Sequence, residues 1–141
     1  MENQQKIALV TVGTKGIGKA IADRLTIAGI KVIVSARSNA ADNPHDFIAA
    51  DLSKTGNVAQ LVAEIGHIDI LVNNMGANTL PGGGFSTFTD AHWDEALRVN
   101  LLAAVRMDRA LLPGMLVQKS GVIIYISSTS GMFPIWEATM A

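Results

Sequence analysis

Short apolar runs alternate along the chain with stretches in which apolar residues recur every three or four positions. The first pattern predicts buried strands and the second amphipathic helices. Ile7-Ala8-Leu9-Val10, Val32-Ile33-Val34, Phe47-Ile48-Ala49-Ala50, Ile68-Asp69-Ile70-Leu71-Val72 and Gly121-Val122-Ile123-Ile124-Tyr125-Ile126 read as five strands. After the first strand, Ile17, Ile21, Leu25 and Ala28 predict a helix with one apolar face. Val58, Leu61, Val62 and Ile65 predict a second, over 54–65. A long helix is expected from about Asp90, with Trp93, Leu97, Leu101, Ala104, Val105, Leu111 and Leu112 largely on one side. Pro113-Gly114 is expected to kink or end it. Residues 39–46 (with Pro44) and 77–88 (with Pro81 and Gly82-Gly83-Gly84) read as loops, and Met132–Ala141 has no clear period.

Strands alternating with helices predict right-handed βαβ units, hence an α/β fold with a parallel sheet and helices on both faces. The near-continuous apolar strands agree with burial on both sides. In such sheets ligands sit beyond the carboxyl ends of the strands, near the switch in strand order. Thr11–Gly18, Arg37, Asp51, Asn73–Gly76 and Ser127–Ser130 all follow strands, a placement that loop composition alone explains poorly. No internal repeat and no second domain is indicated.

Composition narrows the classes. Apolar residues make up 49% of the 141 and charged residues 16%, a core-rich chain rather than a disordered one. The net charge of −1 without a basic run gives no pointer to nucleic acid. The absence of cysteine excludes disulfides and thiolate metal sites. His45, His67 and His92 lack metal-ligand spacing and read as lone surface histidines, so no metal site is expected. Met1-Glu2-Asn3-Gln4-Gln5 is no signal peptide, and the apolar runs fall far short of a span of about 20 residues. A cytoplasmic protein is the expectation.

The candidate chemistry begins at Thr11-Val12-Gly13-Thr14-Lys15-Gly16-Ile17-Gly18, a glycine-rich turn between strand and helix. Such a turn gathers backbone N–H groups and the positive end of a helix dipole at one point, which favours a phosphate. Many glycine turns of this kind bind nothing. Each later residue also carries two readings. Asp51 is either a ligand contact or a turn residue ahead of the helix over 54–65. Asn73-Asn74 either line a site or tie their own turn. Asn100, three after Leu97 and seven after Trp93, falls on the apolar side of its helix, where a buried amide needs partners. Ser128 is either a catalytic hydroxyl, able to donate to an oxygen that gains negative charge, or one member of a hydroxyl-rich turn. Trp93 reads as core packing. Trp136 either lines a substrate mouth or covers the core.

The glycine turn, Asp51-Leu52, Asn73-Asn74-Met75-Gly76, Asn100 on the long helix and Ile126-Ser127-Ser128 together resemble the N-terminal part of a classical short-chain dehydrogenase/reductase, over about Lys6 to Ala141. The resemblance implies a Rossmann-like, doubly wound parallel sheet of about five strands in the order 3-2-1-4-5, truncated, with residues 1–141 forming a single NAD(P)-binding domain. It implies an oxidoreductase that transfers hydride between a nicotinamide cofactor and a small-molecule alcohol or carbonyl. Gly13, Thr14, Lys15, Gly16, Ile17, Gly18, Arg37, Asp51, Leu52, Asn73 and Gly76 are then cofactor contacts. Ser128 polarises the substrate carbonyl, and Asn100 holds a water in a proton relay. Ala36 stands where NAD-binding folds place an acid for the ribose 2′-OH, and Arg37 beside it suits a 2′-phosphate. With Lys15 in the same role, NADP(H) is favoured over NAD(H). The alternative is that both cations are solvated surface charges.

Three departures from the family pattern stand out. Val12 occupies its first glycine position; if that position needs φ > 0, valine costs about 1–3 kcal/mol there. Either Gly13 takes over in a shifted turn, or the cofactor site is weakened. Met75 replaces the usual alanine. The family's Tyr-x-x-x-Lys pair falls just beyond Ala141, after Pro134 and Glu137-Ala138-Thr139, which resemble its approach. Loss of a positioned acid costs about 10²–10⁴-fold, so the 141 residues alone are expected to show little or no turnover. The alternatives are a nucleotide-binding pseudoenzyme and a non-binding, oligomeric fold remnant. The long helix serves the dimer interface in the family, and the fifth strand would be a sheet edge, so a homo-oligomer is expected.

Overall fold

A computed structural model of the protein describes residues 5–78 and 80–133. Pro134, Trp136, Glu137, Ala138, Thr139 and Ala141 lie outside the described residues. Five strands, β1 (Ile7–Thr11), β2 (Lys31–Ala36), β3 (Asp46–Ala49), β4 (Ile70–Asn73) and β5 (Val122–Tyr125), form one parallel sheet in the order β3-β2-β1-β4-β5. Thr11 is in register with Ser35, and Asn73 with Tyr125. The order reverses between β1 and β4, so the crevice at their carboxyl ends is the switch point where such sheets bind ligands.

Alternation along β1 sends side chains to two cores. Leu9 packs with Ile33, Leu71 and the helices α2 (Thr55–Ile65) and α4 (Ala103–Val117). Ala8 and Val10 pack with Val32, Val34, Val72 and Ala22 of α1 (Gly16–Ile27). The strands therefore carry apolar residues on consecutive positions because both faces are covered. Ile21 and Leu25 of α1 join the second core, but Ile17 is 64% exposed, outside the expected apolar face. It sits in the first turn of α1 and lines neither cavity at the switch point.

The long helix departs from expectation in phase and in length. It begins as α3 (Asp90–Leu97), passes through a π-helical stretch at Arg98–Leu102, and continues as α4. The wider π turn shifts the phase of every later residue. The face that packs is Ala103, Met107, Leu111 and Met115, all buried, a four-residue spacing. The expected stripe faces outward instead: Leu97, Leu101, Val105 and Leu112 are exposed, and only Leu111 of its apolar members belongs to the core. Trp93 is half-buried against Phe85 and Phe88, edge to face, apart from both cores. The helix does not end at Pro113-Gly114 but runs to Val117. A proline inside a helix costs about 3 kcal/mol; burial of Leu111 and Met115 on either side of it, each worth about 1.5–3 kcal/mol, offsets that cost.

Candidate functional site

The site is built around Thr11, 1% exposed at the end of β1. Its hydroxyl donates to the Val72 carbonyl at 3.2 Å and accepts from the backbone N–H groups of Asn74 (2.9 Å) and Met75 (3.2 Å). One side chain thus stitches the ends of β1 and β4 together across the switch point. Asn74 returns the contact: its Nδ2 donates to the carbonyls of Thr11 (3.1 Å) and Val12 (3.3 Å).

These bonds hold an uncommon turn. Val12 has φ +52°, a left-handed conformation that a β-branched residue rarely adopts. The turn is therefore not shifted onto Gly13; Val12 itself takes the glycine conformation, fixed by its N–H donating to Ser35 at 2.6 Å. Gly13 and Gly18 are needed for close approach instead. A Cβ on Gly13 would lie 2.6 Å from Val34, and one on Gly18 would collide with the Val12 carbonyl and the Asn74 amide. Gly16 has φ +55° with open space around it. Lys15 is the N-cap of α1 and makes no side-chain cap; the first turn of α1 carries no acidic residue either.

Beyond this turn lies a cleft of about 460 Å³. Thr14, Lys15, Arg37, Asp51, Leu52 and Gly76 line it, together with the two departures, Val12 and Met75. Residues brought to one place from four separate strand ends thus share one cleft. The Ser53 hydroxyl (2.6 Å) and N–H (3.1 Å) donate to Asp51 Oδ1, and that hydroxyl bond above all holds the Asp51 carboxyl below its ordinary value. Asp51 ties its turn and lines the cleft at once. Sequence reasoning missed Ser35, Ser38, Asn39, Ala40, Glu95 and Val99 in the same wall. The first four were within reach, as immediate neighbours of Arg37; the last two depend on how α3 docks.

The remaining candidates lie apart from this wall. Asn73 is buried and its amide donates to Asp108 Oδ1 at 2.8 Å. It lines a second cavity of about 190 Å³, with Asn100, Tyr125 and Ser127. Asn100 is exposed rather than buried, within the π stretch and on the same outward face as Leu97 and Leu101. Its partners are in the 77–88 loop and its own helix: Oδ1 accepts from Ala77 N–H, and Nδ2 donates to the Ala77 and Ala96 carbonyls, at 2.9, 2.9 and 3.1 Å. Ser128 is exposed and begins a turn at Thr129–Gly131, its hydroxyl accepting from Ser130 N–H at 3.1 Å. Ser127 is the serine that shares a cavity with Asn100.

The histidines are not all lone surface groups. The His45 side chain is 4% exposed and bonds Asp23 at 2.8 Å, because the short β2–β3 connection lays it on α1. His92 completes a capping box with Thr89 at the start of α3. Among the described residues no group of three or more His, Asp or Glu converges as a metal site requires, and no helix is long and apolar enough to cross a membrane.

A sheet wound 3-2-1-4-5, with a glycine turn and a polar cleft at its switch point, defines a dinucleotide-binding class of α/β protein. The family model of the short chain dehydrogenases matches residues 6–140, and the chain belongs to that family. It is 38% identical to the oxidoreductase YvrD of Bacillus subtilis, over 96% of this chain and 56% of the relative. It is 35% identical to the 3-oxoacyl-[acyl-carrier-protein] reductase FabG of Salmonella typhimurium, over 93% and 58%. A metagenomic short-chain oxidoreductase solved in complex with NADP superimposes with a TM-score of 0.83 at 35% identity, over 96% of this chain and 66% of that one. An actinorhodin polyketide ketoreductase solved with NADPH gives 0.82 at 33%, over 95% and 57%. The chain spans somewhat over half the length of the curated relatives it matches.

Proposed function

We propose that this chain forms the NADP(H)-binding part of a short-chain oxidoreductase acting on an alcohol or carbonyl. The observation that carries the reading is the cleft, which Lys15 and Arg37 both line and where no carboxylate occupies position 36. An acid there would accept a ribose 2′-OH; two cations suit a 2′-phosphate instead. The first turn of α1, uncapped by a side chain, offers N–H groups to the bridging phosphates. Asp51 and Leu52 border the adenine, and Gly76 lets the ribose approach. Two structural neighbours in the same family were solved with NADP and NADPH, which supports the same cofactor here.

When bound, the nicotinamide supplies or accepts the hydride. Ser128 or Ser127 would polarise the carbonyl as charge develops on its oxygen. Asn100 would hold the 77–88 loop over the cofactor and place a water for proton transfer. The one tyrosine, Tyr125, has no lysine four residues on, so residues 1–141 by themselves bind cofactor with little turnover. The protein is a cytoplasmic homo-oligomer in this reading, associating through the outward apolar face of the long helix.

Thermal unfolding in NADP⁺ tests the binding. At 100-fold excess over Kd the midpoint should rise by the equivalent of about 2.7 kcal/mol. Mixing with a separate chain that carries Tyr-x-x-x-Lys tests the chemistry: NADPH oxidation should appear in the mixture and not in either part. An unchanged midpoint, or oxidation by 1–141 alone, would contradict the proposal.

A further inference from the structure

Parallel strands are ordinarily joined by a crossover of a dozen or more residues, often a helix. β2 and β3 are joined by residues 37–45 alone, and Arg37, Ser38, Asn39 and Ala40 of this connection form one wall of the cleft. The connection is fastened internally. Asn39 Oδ1 accepts from Ala40 N–H (3.0 Å) and Asn43 Nδ2 (2.9 Å), Asn43 N–H donates to Ala40 (3.1 Å), and His45 N–H donates to Asn43 Oδ1 (3.2 Å). At its far end the His45 ring is clasped to α1: Nε2 lies 2.8 Å from Asp23 Oδ1, and Nδ1 lies 3.3 Å from Thr26 Oγ1.

The proton count at this clasp is informative. Thr26 Oγ1 donates its one hydrogen to the Ala22 carbonyl at 3.0 Å, so it can only accept from Nδ1. Asp23 Oδ1, an ionised acceptor, can only accept from Nε2. A neutral imidazole has one N–H, and an imidazolium has two. All three contacts coexist only with the charged ring. Of the neighbouring charges, Asp23 is shared with Lys19 at 2.8 Å, Asp42 of the connection acts on Lys19, and Asp46, next in the chain, is paired with Lys31 at 3.3 Å.

We propose that His45 is a positioning residue for the cleft: its charged ring, held between Asp23 and Thr26, clasps residues 37–45 against α1 and so sets the placement of the Arg37–Ala40 wall. The consequence for ligand affinity rests on the nucleotide reading given above; the clasp itself does not. Histidine ordinarily changes charge between about pH 5 and 8. The Asp23 carboxyl is held below its usual value, chiefly by Lys19 and then by His45, so it stays ionised across that interval. Losing a ring proton removes one of the three contacts, either a ring bond or, where Thr26 turns its hydrogen to Nδ1, the Thr26 bond to the Ala22 carbonyl, and loosens the wall.

Amide hydrogen exchange of residues 39–45, corrected for intrinsic rates and followed from about pH 6 to about pH 8, tests the clasp without any ligand. Wild-type protection should fall about tenfold with rising pH. His45→Gln, which cannot change charge, should be loosened and flat with pH. Thr26→Val, should the first variant fail to fold, should flatten the profile likewise, because one N–H then satisfies the ring. Wild-type protection that does not depend on pH, or pH dependence that survives in these variants, would overturn the clasp. NADPH titrations at the two pH values form a second arm: affinity should fall about three- to tenfold more in the wild type than in His45→Gln. A cofactor that never binds, beside the expected exchange profile, would defeat the nucleotide reading and leave the clasp standing.

Discussion

The hydroxyl of Tyr125 donates to Oδ2 of Asp108 at 2.5 Å, while Asp108 Oδ1 accepts from the amide of Asn73. One carboxylate on α4 thereby holds the ends of both β4 and β5. The bond to Asp108, before partial desolvation, raises the Tyr125 phenol above its ordinary value of 10.0. A group raised on folding contributes stability that is fully present below its unfolded value and is lost as pH rises through the folded value. Tyr125 is the chain's one tyrosine, so tyrosinate absorbance reports it directly. Its midpoint should lie above 10.0 in the native protein, and Asp108→Asn should bring it down. A native midpoint at the ordinary value would dissolve the Tyr125–Asp108 link.

Val12→Gly should stabilise the protein. Relief of the left-handed valine is worth about 1–3 kcal/mol, and the added freedom of glycine in the unfolded chain takes back about 0.5–1 kcal/mol. The net gain of about 1 kcal/mol is measurable by urea unfolding. A loss of stability would mean that packing of the half-buried Val12 side chain outweighs its backbone conformation.

The glycines of the turn should rank by space and not by position in the motif. Gly18→Ala and Gly13→Ala drive a Cβ into backbone or core and should each cost about 1–3 kcal/mol. Gly16→Ala meets nothing and should cost about 1 kcal/mol, from its positive φ alone. Equal losses at all three, read by denaturant midpoints, would contradict this assignment of roles.

The phase of the long helix predicts a contrast between two substitutions. Met107 is fully buried, and Met107→Ala should cost about 2–5 kcal/mol. Leu101 is half exposed at 51%, and Leu101→Ala should change monomer stability by less than about 0.5 kcal/mol. Where the outward face carries an interface, the same Leu101 variant should shift the sedimentation profile toward the monomer. Comparable destabilisation at the two positions would put the π turn in the wrong place.

The strands were legible because each is a short continuous apolar run, as a sheet covered on both faces requires; their order followed from the family resemblance. The clustering of Lys15, Arg37, Asp51 and Gly76 was legible too, since each stands just after a strand. What escaped the sequence depends on contacts that spacing does not encode. The π turn at Arg98–Leu102 sets the phase of α4, whose packed face is Ala103, Met107, Leu111 and Met115, and nothing in Arg98-Val99-Asn100-Leu101-Leu102 announces an extra residue in the turn. His45 looked like a lone histidine because its partners, Asp23 and Thr26, belong to an earlier helix. The conformation of Val12 was readable as a conditional: a residue in a glycine position either moves the turn or bears the strain, and Asn74 and Ser35 make it bear the strain.

The central claim, a nucleotide cleft suited to a 2′-phosphate, is met most directly by calorimetric titration of the chain with NADPH and, in parallel, NADH. NADPH should bind with micromolar affinity and NADH about ten- to a hundredfold more weakly, the worth of about 1.5–3 kcal/mol for hydrogen bonds from charged Lys15 and Arg37. Equal affinities would refute the role of Lys15 and Arg37, and no heat with either nucleotide would contradict the cofactor cleft itself.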